Sequence, residues 1–151
     1  MAAQAWKVYN KAKEYLMDGT IDIDAPNSFK MALFKGGSNA ATATLTLKSQ
    51  VTPEVNNSNG YTTHGKLMST TTWASGRSAT EMRFDMLSTG VFWSAHTSSI
   101  TSIQFAVIYL SVSAGGGPLL AYSSLSSSIF SVSPTNRLTI SPATNGIFQL
   151  V

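Results

Sequence analysis

Phe105-Ala106-Val107-Ile108-Tyr109-Leu110, then Gly115-Gly116-Gly117-Pro118, then Leu119-Leu120-Ala121-Tyr122, is the stretch on which the fold reading turns. The first run is the longest clearly apolar one in the chain and has strand length. It is apolar on both faces, as a central strand covered on both sides must be. The glycines and Pro118 turn the chain, so the two runs are expected to form a hairpin-like pair.

Working outward, the period stays at two. Met82, Phe84 and Met86 alternate with Glu81, Arg83 and Asp85, the pattern of a half-buried strand. Val91-Phe92-Trp93 reads as a short strand, and 129–132, 138–140 and 147–150 complete the C-terminal set. Upstream, Phe29, Met31 and Leu33 alternate with Lys30 and Ala32 up to the break at Gly36-Gly37-Ser38-Asn39. Ile21 and Ile23 alternate with Asp22 and Asp24 before the Pro26-Asn27 turn, whereas Ala43 to Lys48 suits a strand or a short helix equally well. Only the N-terminus changes period. Trp6, Tyr9, Ala12 or Lys13, and Leu16 recur every three or four residues, which predicts a helix over 4–17 stopped by Gly19. Short strands at intervals of about ten residues then predict a mainly β chain. The expected architecture is a β-sandwich or jelly-roll-like body over about 20–151, with one N-terminal α-helix, as one domain spanning 1–151.

Composition narrows the function classes. Charged residues make up 11% of the 151, against a typical ~25%. The polarity comes from Ser, Thr and Asn, and the net charge is +3. Beyond Lys7, Lys11 and Lys13 the basic residues are scattered singly, without the clustered face that nucleic-acid binding requires. No Cys is present, so thiolate catalysis, disulfides and Cys-based metal sites are excluded. The N-terminus has no apolar h-region, and no apolar run approaches the ~20 residues of a membrane helix. The expectation is a chain made without export, with no membrane partner.

Catalytic signals are missing. His64 and His96 have no metal-ligand spacing and read as ordinary loop or surface residues. No GxSxG elbow occurs. Asp22 and Asp24, two apart on a strand, would share one face and reach a common cation, but the solvated side of an edge strand explains them as well. The expectation is no enzyme, no cofactor and no metal.

After Asp85 the only formally charged side chain is Arg137. Soluble monomers normally intersperse both signs over their surfaces, and interface cores are depleted of charge because an unpaired charge is costly to desolvate. Either the outer strands are simply neutral, or an assembly covers them. Trp73 stands in a polar stretch without apolar neighbours, where an exposed aromatic anchors an interface or folds back on its own body. The candidate interface residues are Trp6, Tyr9, Trp73, Phe105, Tyr109 and Tyr122.

Val8-Tyr9-Asn10-Lys11-Ala12-Lys13-Glu14-Tyr15-Leu16, Gly19, Ile21-Asp22-Ile23-Asp24 and Phe29-Lys30-Met31-Ala32-Leu33 resemble the start of a family of small tailed-phage virion structural proteins. Val51-Thr52-Pro53-Glu54-Val55, Gly60-Tyr61-Thr62-Thr63-His64-Gly65-Lys66-Leu67, Phe92-Trp93-Ser94-Ala95, Ala106-Val107-Ile108-Tyr109 and Gly146-Ile147-Phe148-Gln149-Leu150 follow in matching order. The Gly-rich turn after Tyr109 and the charge-free second half depart from the family pattern. The resemblance implies a capsid decoration (cement) protein, often trimeric, on the capsid exterior of the virion, with the major capsid protein and itself as partners. It offers no catalytic residues. A tail, head-fibre or receptor-facing binding module of the virion is the alternative, with Trp73 as its candidate contact.

Overall fold

The computed structural model describes residues 4–23, 28–68, 72–75, 82–86, 89–112, 116–142 and 146–150. Its elements are β1 (Lys7–Val8), α1 (Asn10–Met17), β2 (Phe29–Lys35), β3 (Lys66–Leu67), β4 (Thr72–Ser75), β5 (Met82–Asp85) and β6 (Val91–Ser94). They continue with β7 (Ile100–Leu110), β8 (Leu119–Ser124), β9 (Phe130–Val132), β10 (Arg137–Ile140) and β11 (Phe148–Leu150). The fold is mainly β with one helix.

The apolar run sits where its pattern places it. β7 is central in a six-stranded antiparallel sheet of order β1-β8-β7-β2-β3, with β9 also pairing β7. Ala106, Val107, Ile108 and Tyr109 are fully buried between neighbours. The expected hairpin is present, with Val107 opposite Tyr122 and Ile108 opposite Ala121. Gly117 closes it: a Cβ there would lie 1.7 Å from the Leu110 carbonyl oxygen, so no other residue fits without moving backbone. Early in β7 the ladder slips at Ser102, which has φ 64° and whose carbonyl accepts from the Gly36 amide.

β2 is more buried than simple alternation implies, with Ala32 and Phe34 as inaccessible as Met31 and Leu33. The segment after it folds back: Lys35 N–H donates to the Pro53 carbonyl and Val55 N–H to the Leu33 carbonyl. The Thr52–Pro53 peptide of this segment is cis. Two small sheets, β10-β6 and β11-β5-β4, complete the body. Phe84 of β5 packs edge-on against Phe29 of β2 at 5.1 Å and against Phe148 at 5.5 Å, while Trp93 of β6 lies 6.3 Å from Tyr61. The Phe29–Phe84 contact joins the three-stranded sheet to the large one, and Trp93–Tyr61 ties the β6–β10 ribbon to the loop whose Tyr61 hydroxyl bonds β2, giving a sandwich-like body.

Three local expectations need correction. The helix occupies 10–17, not 4–17. Residues before it are extended, with Lys7 opposite Tyr122 and Gln4 N–H bonded to the Ser124 carbonyl. β8 would otherwise leave its amides and carbonyls unpaired, and satisfying them outweighs one more helical turn. Ile21 and Ile23 do not form a strand; Ile21 N–H caps back to the Tyr15 carbonyl and its side chain is buried. The ambiguous 43–48 segment forms turns, an isolated bridge from Leu47 to Pro118 and a 3₁₀ turn at Lys48–Gln50. Asp24 lies outside the described residues, so the acidic pair is not placed.

Candidate functional site

Among the described residues the densest polar constellation is internal and centres on Glu54. The folded-back 53–55 segment puts Glu54 beside Phe34, and the 3₁₀ turn brings Lys48 to it. His64 and Gly65 adopt φ of 72° and 67°. At Gly65 a Cβ would sit 1.9 Å from the Met31 carbonyl oxygen, so glycine lets this turn press onto β2. Glu54 Oε2 accepts from Lys48 Nζ at 2.5 Å. Its Oε1 accepts from the Tyr61 hydroxyl at 2.5 Å and the His64 backbone N–H at 2.6 Å.

The network extends outward through His64. Lys48 Nζ lies 3.0 Å from His64 Nδ1, and since an ammonium only donates, Nδ1 is the acceptor of this contact. The Tyr109 hydroxyl donates to the His64 carbonyl at 2.7 Å, and the Tyr61 hydroxyl accepts from Leu33 N–H at 3.0 Å. The side chains of Lys48 and Glu54 are only 7% and 13% exposed. Lys48 Nζ also approaches the Phe34 and Tyr109 rings. Burial first, and the Glu54 charge second, push the Tyr61 and Tyr109 phenols well above their ordinary range, so both remain protonated donors.

Chemically this hub is a rivet. Both carboxylate oxygens carry donors, and the ammonium is held by Glu54 and His64. It fastens the 48–65 excursion to β2 and β7. Sequence reading treated His64 as an ordinary loop residue and did not single out Lys48, Glu54 or Tyr61 for a role. Glu54, Tyr61 and His64 fall in segments of the resemblance that assign them no role, and only the fold brings them together with Lys48. Among the described residues no group of three metal-capable side chains occurs. No helix among them is long and apolar enough to cross a membrane.

The candidate interface residues separate into three kinds. Tyr9 and Tyr109 are fully buried and Tyr122 nearly so, which corrects the expectation that they face a partner. Tyr9 donates to the Ala40 carbonyl at 2.6 Å and its ring lies 4.9 Å from that of Tyr122. Trp6 and Phe105 are half-buried against the core. Phe105 and Tyr122 line a cleft of about 230 Å³ with Gln4, Lys7, Ser123 and Ser124. Trp73 pairs opposite Phe84 in β4, but its side chain lies outside the described residues.

The outer surface of the second half is the other distinctive feature. Its exposed residues are mostly Ser, Thr and Asn, such as Thr97, Ser98, Thr101, Ser131, Thr135 and Asn136. Phe92, Val112 and Ile129 are the large apolar side chains exposed among them. Arg137 is the single formal charge on the described part of this surface. No family model, no curated protein and no solved structure matches the chain.

Proposed function

We propose that the chain is a phage capsid decoration (cement) protein, binding the outer capsid surface between major capsid subunits as a homotrimer and stabilising the head without catalysis. One observation carries the reading: an outward surface of hydroxyls and isolated apolar side chains with a single formal charge. Such a surface loses little solvation when covered, because hydroxyls re-pair with either donors or acceptors and no buried charge needs compensation. The family resemblance of the sequence supports the same reading. The central strands and the Glu54 hub would supply a stiff body, so that modest contacts repeated over a lattice add through avidity.

The test is co-sedimentation of the purified chain with matched capsids lacking it, alongside native mass spectrometry of the free chain. Saturable binding at a fixed ratio to the major capsid protein, by a free trimer, is the expected result. A free monomer that leaves capsids bare would overturn the proposal. The cleft lined by Phe105, Ser124 and Lys7 favours a second reading, a receptor-facing module of the tail or head fibre. Aromatic and hydroxyl groups beside a cation suit a carbohydrate. A glycan array that shows no binding, or binding that survives Lys7→Ala, removes that reading.

A further inference from the structure

Among the described residues Phe92 is the one aromatic that is strongly exposed, at 44%, and the two strands of the β6–β10 ribbon explain why it points outward. Val91 and Trp93 are buried while Phe92 faces solvent, opposite Thr139, with Ser94 opposite Arg137. Its ring is not left bare. Lys66 Nζ, from β3, lies 4.9 Å from the ring centroid, and Arg137 Cζ, from β10, also lies at 4.9 Å. Arg137 is the only formal charge after Asp85, and the fold sets it on this ring. Neither cation takes part in an ion pair among the described residues, where the pairs are Lys11–Glu14, Lys48–Glu54 and Arg83–Asp85.

We propose that Phe92, Lys66 and Arg137 form a docking patch for an acidic protein surface, in which partner carboxylates pair the two cations while an apolar or aromatic partner side chain covers the ring. Cation–π contact holds the two long side chains against Phe92 in the free chain, so less side-chain freedom is lost on docking. Both cations keep free donors for carboxylate oxygens, and Arg137 has the planar fork that takes them in pairs. The sign of the charge calls for an anionic partner, and the small number of cations points to a protein rather than a nucleic acid. A phosphate backbone is followed by a row of cations, and among the described residues two cations lie on this ring. The patch would serve the attachment proposed above, but its test needs only the free chain.

The probe is a fluorescently labelled random copolymer of glutamate and tyrosine, titrated against the intact chain, with poly-glutamate and a single-stranded oligonucleotide in parallel. The copolymer is expected to bind more tightly than poly-glutamate. Lys66→Gln with Arg137→Gln should weaken copolymer binding about tenfold, and Phe92→Ser severalfold, magnitudes that follow from two paired charges and one aromatic contact. Lys11→Gln with Lys13→Gln, the same change in net charge, should leave it within about twofold. Circular dichroism melts establish that each variant folds.

Four results overturn the proposal: no copolymer binding, equal loss from the Lys11/Lys13 pair, preference for the oligonucleotide, or self-association of the chain that Phe92→Ser abolishes. The first two mean general charge or no site, the third a nucleic-acid surface, the fourth a contact between copies. Capsid sedimentation is independent of all four. Capsid binding without copolymer binding defeats the patch alone, and copolymer binding without capsid binding defeats the decoration role alone.

Discussion

Replacing Glu54 by Gln tests the hub with almost no change in shape. In the native chain one carboxylate takes three donors, from Lys48 Nζ, the Tyr61 hydroxyl and the His64 N–H, in a site where Lys48 is 7% exposed. The Gln oxygen can still accept from Tyr61 and His64, but its NH₂ group then faces the Lys48 ammonium, donor against donor. The lysine is left as a buried charge with only the His64 ring to receive it. Breaking a buried pair by removing one partner costs about 3–5 kcal/mol, far above the ~1 kcal/mol of an exposed pair. That is a large share of the ~5–15 kcal/mol total stability of a domain. Urea unfolding followed by tryptophan fluorescence, with wild-type and variant slopes compared, measures it directly. The double variant Lys48→Met/Glu54→Gln removes the stranded charge, so it should recover about 2–3 kcal/mol relative to Glu54→Gln alone. A loss below about 1 kcal/mol for Glu54→Gln, with no recovery in the double variant, would refute the rivet argument.

Further predictions concern pH, backbone and core. The phenols of Tyr9, Tyr61 and Tyr109 are all raised above their ordinary value of 10.0, chiefly by burial. Above that pH the unfolded chain loses protons that the folded chain keeps. Their contribution is therefore whole below pH ~10 and falls as pH rises, by about 4 kcal/mol per pH unit for three such groups. Urea midpoints measured from pH 9 to 11 should drop steeply, and Tyr9→Phe should reduce that slope by roughly a third. Gly65→Ala should cost about 3 kcal/mol or more, or abolish folding, because the methyl meets Met31 and Ala32 backbone at positive φ. Gly116→Ala, whose nearest neighbour is Ser49 Cβ at 3.8 Å, should change stability by less than about 0.5 kcal/mol in the same assay. Trp93 is fully buried with its indole N–H unpaired. Trp93→Phe should thus cost about 1 kcal/mol, against about 3–5 for Trp93→Ala, as read from thermal melts.

The period-two runs and the turn residues between them were legible because side-chain alternation and glycine or proline geometry are local properties. Phe105 to Leu110 announced a central strand, Gly115 to Pro118 a hairpin, and Met82 to Met86 a half-buried strand with Phe84 facing in. What local pattern could not decide was competition for backbone partners. Residues 4–8 show a helical stripe, yet β8 offers unpaired groups and takes them as a strand. Ile21 reads as a strand residue, yet it folds back on α1.

The same distinction governs the sites. The sparse charge of the second half is a property of the sequence. Which of its residues are core, as Tyr109 is, and which are surface, as Phe92 is, depends on neighbours contributed by other strands. Nothing in the sequence gives Lys48, Glu54, Tyr61 and His64, or Lys66, Phe92 and Arg137, a shared role. Composition and periodicity by themselves determined a mainly β chain with one helix and a neutral second half. Only the tertiary structure decided the buried Glu54 rivet and the Phe92 patch, because each is assembled from loops and strands whose proximity is set by long-range packing.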